Sequence, residues 1–237
     1  VTYDKDENRD SKTKHFTVRP ARNRGTGPIP SSPIPTIPAC SKYFVDMLPS
    51  DPLCLQATLL RERNIFMGQE INGQRYANLK QPINRAEFFA VSSRLYQLPN
   101  IPANPQNLAR YKDLNRTMIS DPNNNWWLSP LGQLSQAGIV TGYQDGSIRP
   151  FAEITQAELA KVTGLSLKLI NPMSLNPQIK PWHLPVTQQL GAQGIIFNPD
   201  VKALRADAVH IISQSIIAAE RTPSASAAPQ NQYQQGF

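Results

Sequence analysis

Two carboxylates stand at matched places in this chain, Glu87 in NRAEFF and Glu158 in TQAELA. Paired acids are one way to carry general acid–base chemistry. Each of these, however, lies three residues after a small polar residue, Asn84 or Thr155, and just before an apolar run. That is the pattern of a capping box, which gives each carboxylate a sufficient structural task. The acids Asp4, Asp6 and Glu7 fall in a polar end segment with nothing to form a pocket. There is no Ser nucleophile elbow, no HExxH, and no Walker or GxGxxG loop. The chain is therefore expected to be neither an enzyme nor the holder of a cofactor.

The remaining reactive groups are few. His15, His183 and His210 are scattered, and Cys40 and Cys54 form no CxxC, so no metal site of Cys/His type is expected. In an oxidising compartment the two thiols could close a disulfide contributing about 3 kcal/mol. Otherwise they are two separate buried thiols. The aromatic pair Trp126-Trp127 could stack on a sugar; it could equally place one ring inward and the other over a seam. Basic residues interleave with aromatics only weakly, around His15–Arg24, so nucleic acid is not an expected partner.

The positioning framework must fit within 237 residues that are 40% hydrophobic and contain 22 prolines. That is one large domain or two small ones, with much irregular chain. A net charge of +7 favours acidic partners, or simply solubility. No run of about 18 apolar residues offers a membrane-spanning helix. The opening VTYDKDENRD has neither Met nor an apolar signal core; it resembles either a mature exported chain or one whose true start is missing. Residues 1–38 read as an extended arm. Its first part is basic, and GTGPIPSSPIPTIP, residues 25–38, reads as a polyproline-like linker. His15–Arg19 could add as a strand to another surface. Residues 221–237 read as a low-complexity tail.

Between them, residues 39–220 repeat themselves. From Gly138 the chain reads GIVTGYQDGSIRPFAEITQAEL; from Asn64 it reads NIFMGQEINGQRYANLKQPINRAEFF. Both give an apolar pair, a Gly (Gly142, Gly68), a turn dipeptide (Asp145-Gly146, Asn72-Gly73), an Arg (Arg149, Arg75) and a capping box. The period is about 71–74 residues. An eroded third copy, QGIIFNPDVKALRADAVHII, keeps Gly194 and echoes Arg85-Ala86-Glu87 as Arg205-Ala206-Asp207; Leu204 stands where a cap would be. Upstream lie Tyr43-Phe44-Val45-Asp46 and Tyr111-Lys112-Asp113, each followed by a helical stretch, and in the third copy Trp182 followed by Val186 and Leu190. The repeats span about 43–98, 111–170 and 180–220. In the second, Ser129 is expected to cap the first helix, with Pro130 in its first turn. Trp127, Leu131 and Leu134 then share a face, and Gly138 ends the helix in a left-handed conformation. One helix pair cannot close a core alone, whereas three can.

In this order and spacing the residues resemble the S-layer homology family, whose repeat runs F-x-D, a Trp-containing helix, GII-x-GY-x-DG-x-(F)RP, and a TRAE helix. GYQDG, IRP and TQAE match in one copy; FVD, IFMG, ING and NRAE match in the other. The resemblance implies a mainly α fold, with three helix–loop–helix repeats in a pseudo-threefold arrangement. It implies an exported protein of the cell envelope, cell surface or periplasm. Such modules tether proteins to wall polymers, with acidic sugars bound in grooves between repeats. The implied groove residues are Arg85, Tyr143, Asp145, Gly146 and Trp126 or Trp127, with Trp182 and Arg205 from the weaker copy. Gln156 stands where the family has Arg, the third loop is largely deleted, and Pro52-Leu53 replaces an expected aromatic. One or two of the three grooves are therefore expected not to function. The leading expectation is a non-enzymatic structural or anchoring subunit that binds anionic cell-wall glycan, copies of itself or other subunits through its arm. The alternative is a basic linker or scaffold subunit inside a large complex, for example a membrane-associated or photosynthetic one.

Overall fold

The computed structural model describes residues 40–97, 105–176 and 178–221. The arm of residues 1–38 and the tail from residue 222 lie outside the described residues. Within them the fold is mainly α, as expected. Its elements are α1 (Cys54–Glu62), a hairpin of β1 (Gln69–Ile71) and β2 (Gln74–Tyr76), α2 (Arg85–Leu95), short α3 (Pro105–Leu108) and α4 (Arg116–Ser120), α5 (Asn125–Gln136), α6 (Gln156–Ser166), α7 (Leu184–Gly191) and α8 (Arg205–Arg221). None of these helices is long and apolar enough to cross a membrane. Cys40 and Cys54 are joined by a disulfide that fixes the start of α1 to the short turn of Cys40–Lys42.

The chemically marked ends behave as their residue types dictate. Both capping boxes form: Asn84 and Thr155 accept from the backbone of Glu87 and Glu158, which reach back to the cap amides. At Leu204, where no cap side chain exists, Asp207 still accepts the Leu204 amide at 2.8 Å, so half the box survives. Gly138 has φ 72° and follows α5; the Ile139 amide returns to the Leu134 carbonyl at 2.9 Å, closing the helix end.

The aromatic-x-Asp starts have a long-range purpose. Asp46 accepts the amides of Ala77 and Asn78, and Asp113 those of Ile148 and Arg149, all at 2.7–2.8 Å. Each Asp therefore clamps the far end of its own loop. The aromatic ring of the same segment lies beneath the loop glycine. A Cβ on Gly68 would stand 2.7 Å from Phe44, and one on Gly142 2.9 Å from Tyr111. Both glycines also have positive φ, so these positions exclude side chains on two grounds.

Three buried residues, each preceding one of α2, α6 and α8, meet at the centre. The Ile83 amide donates to the Ala203 carbonyl, Ala203 to Ile154, and Ile154 back to Ile83, at 3.1, 2.8 and 3.2 Å. This is a closed ring of backbone hydrogen bonds. The next amides continue the cycle: Arg85 and Ala86 donate to Ala152 and Pro150, Gln156 and Ala157 to Val201 and Pro199, and Arg205 and Ala206 to Gln81 and Leu79. A helix start leaves amides without internal partners. Here each helix has them satisfied by a loop from another segment, which ties local helix formation to tertiary assembly. Around this hub α2 packs on α5, α6 on α7 and α8, and α1 on α8.

Two expectations need correction. Ser129 does not cap a helix and Pro130 is not in a first turn: α5 begins at Asn125, and Pro130 lies inside it. The turn of Pro122–Asn124, capped by Asp121, runs straight into α5 and starts the helix early. The extra turn carries Trp127 and Leu128 into full burial, which offsets the hydrogen bond that Pro130 cannot make. Trp127 is therefore a core residue rather than an accessible platform. Its indole N–H is satisfied by Asn124 at 3.3 Å, and its ring meets Phe151 edge-on.

Candidate functional site

The first residue of α2, Arg85, points across the seam to α6. Its Nε donates to the Ile148 carbonyl at 2.8 Å and its Nη1 to Glu158 Oε1 at 3.1 Å. The same carboxylate oxygen accepts the Tyr143 hydroxyl at 2.6 Å. The Tyr143 ring is flanked by two guanidiniums, Arg85 at 4.6 Å and Arg149 at 4.3 Å from its centre. Burial, then the hydrogen bond to Glu158, pushes the Tyr143 hydroxyl up to about 12, so at neutral pH it is a fixed donor.

The loop after α5 is held from within. Asp145 accepts both the amide and the hydroxyl of Ser147 and pairs with Arg149 at 2.9 Å. These hydrogen bonds, those from Ser147 foremost, hold its carboxyl well below the usual carboxylate range. Gly146, at φ 81°, supplies the turn that brings Ser147 back.

These parts enclose a groove of about 590 Å³ between α2, the loop and α6, closed on its far side by the segment carrying Lys180 and Trp182. Four of the expected residues, Arg85, Tyr143, Asp145 and Trp182, line it together. Gly146 shapes the loop without lining the groove. Trp126 is 50% exposed but does not line it, and Trp127 is in the core. Arg205 serves a separate seam. There its Nε donates to the Ala77 carbonyl at 2.9 Å, its Nη1 to Glu87 at 3.3 Å, and its guanidinium lies 5.3 Å from the Phe66 ring.

The sequence reading missed three cations in the groove, Arg149, Lys161 and Lys180. Lys161 follows Glu158 by one turn of α6, and its ammonium lies 5.8 Å from the Trp182 ring. Burial lowers its pKa; nearby Arg85 acts in the same direction and Glu158 against it. Lys180 stands two residues before Trp182, exposed. The only signal for Lys161 was its place on the helix face of Glu158; nothing marked Lys180. With Arg85 and Arg149, four cations face two carboxylates in the groove, which suits an anion beside a flat aromatic surface.

The family model of the S-layer homology domain matches residues 120–160. Residues 120–160 carry the signature of an S-layer homology domain. The matched stretch covers α5, the loop and the start of α6, so it includes Tyr143, Asp145 and Glu158; Arg85, Lys161, Lys180 and Trp182 lie beyond it. S-layer homology domains are non-catalytic modules that associate proteins with the cell wall and envelope. No curated protein matches the chain.

Proposed function

We propose that this chain is a non-enzymatic, exported anchoring subunit of the cell envelope, and that the groove between α2 and α6 binds an acidic glycan of the wall. The reading takes the fold as three repeats, the third eroded, sharing one centre; the closed ring through Ile83, Ala203 and Ile154 supports it. The observation that carries the functional part is the excess of cations in a groove that also presents Trp182, 41% exposed. An acid supplies charge-assisted hydrogen bonds to such a site, and a sugar ring lies well on an indole. Co-sedimentation with peptidoglycan sacculi tests it. The chain should pellet with sacculi that keep their acidic secondary polymers and stay in solution with stripped ones. Arg85→Ala should abolish the difference; binding equal to the parent would end the role of this groove.

The proposal extends to the arm of residues 1–38, which engages copies of this chain or other subunits. Its five prolines in residues 25–38 support an extended tether. Deleting residues 1–38 should leave wall affinity unchanged while dissolving any larger complex. A chain that loses its complex on that deletion and shows no wall affinity with or without the arm is a linker or scaffold instead.

A further inference from the structure

The charges of the groove are not equally available to a ligand. Arg85 is committed through Nε to the Ile148 carbonyl and through Nη1 to Glu158. Its side chain is only 8% exposed. Arg149 is committed to Asp145 and Ser147. Each carboxylate of the groove thus neutralises one guanidinium. Among the described residues, Lys161 and Lys180 have no carboxylate within 4.0 Å.

Lys161 is the more telling of the two. It is partly buried, it is close to Arg85, and its ammonium lies 5.8 Å from the centre of the Trp182 ring; Glu158 acts on it from a distance but forms no ion pair with it. Desolvating a cation without an anion is unfavourable, and the missing partner is what a bound acid supplies. Lys180 is exposed and lines the same groove as Trp182. The second seam has no counterpart. Lys161 lies five residues after Gln156, and the residue five after Arg85 is Ala90.

Resting on the glycan reading above, we infer that Lys161 and Lys180 hold the acidic group of the bound saccharide against the Trp182 ring, while Arg85 is a positioning residue that sets the wall of the groove. The chain then has one acid-binding groove between α2 and α6 and none at the Arg205 seam.

The test uses the full chain and two probes, sacculi with their acidic secondary polymer and sacculi stripped of it, with a thermal melt of every variant. Lys161→Met keeps the apolar stem and removes the charge; Lys180→Met changes an exposed position and carries the test even where Lys161→Met folds poorly. Each should weaken binding to intact sacculi about tenfold, and the double variant should bind no better than the parent binds stripped sacculi. Melting temperatures of the two single variants should stay within about 2 °C of the parent. Arg85→Ala should lose both binding and thermal stability. Lysine variants that bind intact sacculi as tightly as the parent overturn the inference while leaving the glycan reading in place. Arg85→Ala that loses binding at an unchanged melting temperature overturns the positioning role. A parent chain that fails to distinguish the two kinds of sacculi removes the glycan reading itself, and the inference with it.

Discussion

The Arg85–Glu158 and Arg205–Glu87 seams are built alike and equipped differently. In both, a first-helix-residue Arg gives its Nε to a loop carbonyl and its Nη1 to the capping-box Glu of another segment, beside an aromatic ring. The shared part satisfies buried polar groups and joins neighbouring segments. The unshared part is the groove: Tyr143 and Lys161 in the first seam correspond in the sequence to Gln69 and Ala90 in the second. A third seam, where α6 meets the segment before α8, has Gln156 at the first helix position instead of an Arg. Gln156 there accepts the Asn198 amide at 2.9 Å and makes no ion pair among the described residues. The comparison separates what makes the fold from what makes the proposed ligand site. An arginine at the first helix position is structural in both seams; the distinguishing cation, Lys161, lies on the facing helix α6, one turn after Glu158.

The glycines give the largest expected effects. Gly142→Ala and Gly68→Ala each place a methyl against backbone and a buried ring at positive φ, and should destabilise the chain by about 3 kcal/mol or more. Gly194→Ala, after α7, meets nothing within 4 Å and carries only the conformational penalty, about 1 kcal/mol. Urea unfolding of the three variants measures this directly. Equal losses at all three sites would mean that the aromatic beneath the loop contributes nothing.

Next come the arginines. Arg85→Ala and Arg205→Ala both strip a mostly buried ion pair, the arginine side chains being 8% and 9% exposed. Each should cost roughly 2–3 kcal/mol, because a carboxylate and a loop carbonyl lose their donor. Only Arg85→Ala should lose wall binding. Loss of binding in Arg205→Ala at preserved stability would make the two seams functionally equivalent.

How much of this could be read from the sequence depends on the range of the interaction. The capping boxes at Asn84 and Thr155, the turn at Gly138 and the faces of the helices were legible, because each depends on residues within one or two turns. The resemblance of residues 137–158 to a known repeat was legible for the same reason. The early start of α5 was not. Ser129-Pro130 is a sound local start signal, overridden because Trp127 and Leu128 reach the core only if the preceding turn is helical. Nor could the sequence show which acid Arg85 meets, since Glu158 lies 73 residues away. Lys161 was passed over because a lysine on a helix face is ordinarily a solvated one; its value comes from Trp182, brought beside it by the fold.

The smallest effect lies at high pH. Tyr143 is raised from 10.0 to about 12, chiefly by burial and by donating to Glu158. A raised pKa on folding means the protonated hydroxyl favours the native state. That contribution is complete below pH 10 and is lost as pH climbs toward 12. The ultraviolet phenolate band should show one tyrosine ionising late, and Tyr143→Phe should remove that step together with part of the alkaline fall in stability. The Arg205 seam, with Gln69 at the matching place, contributes no such step. A phenolate titration identical in parent and Tyr143→Phe would contradict the assignment.

The most direct test of the central claim is a crystal structure of the chain soaked with acidic oligosaccharide released from the secondary polymer of peptidoglycan sacculi. The account predicts saccharide in the groove between α2 and α6, its acid at Lys161 and Lys180 and its ring on Trp182, with the Arg205 seam empty. Saccharide at the Arg205 seam, or with its acid on Arg85 and away from both lysines, would contradict it.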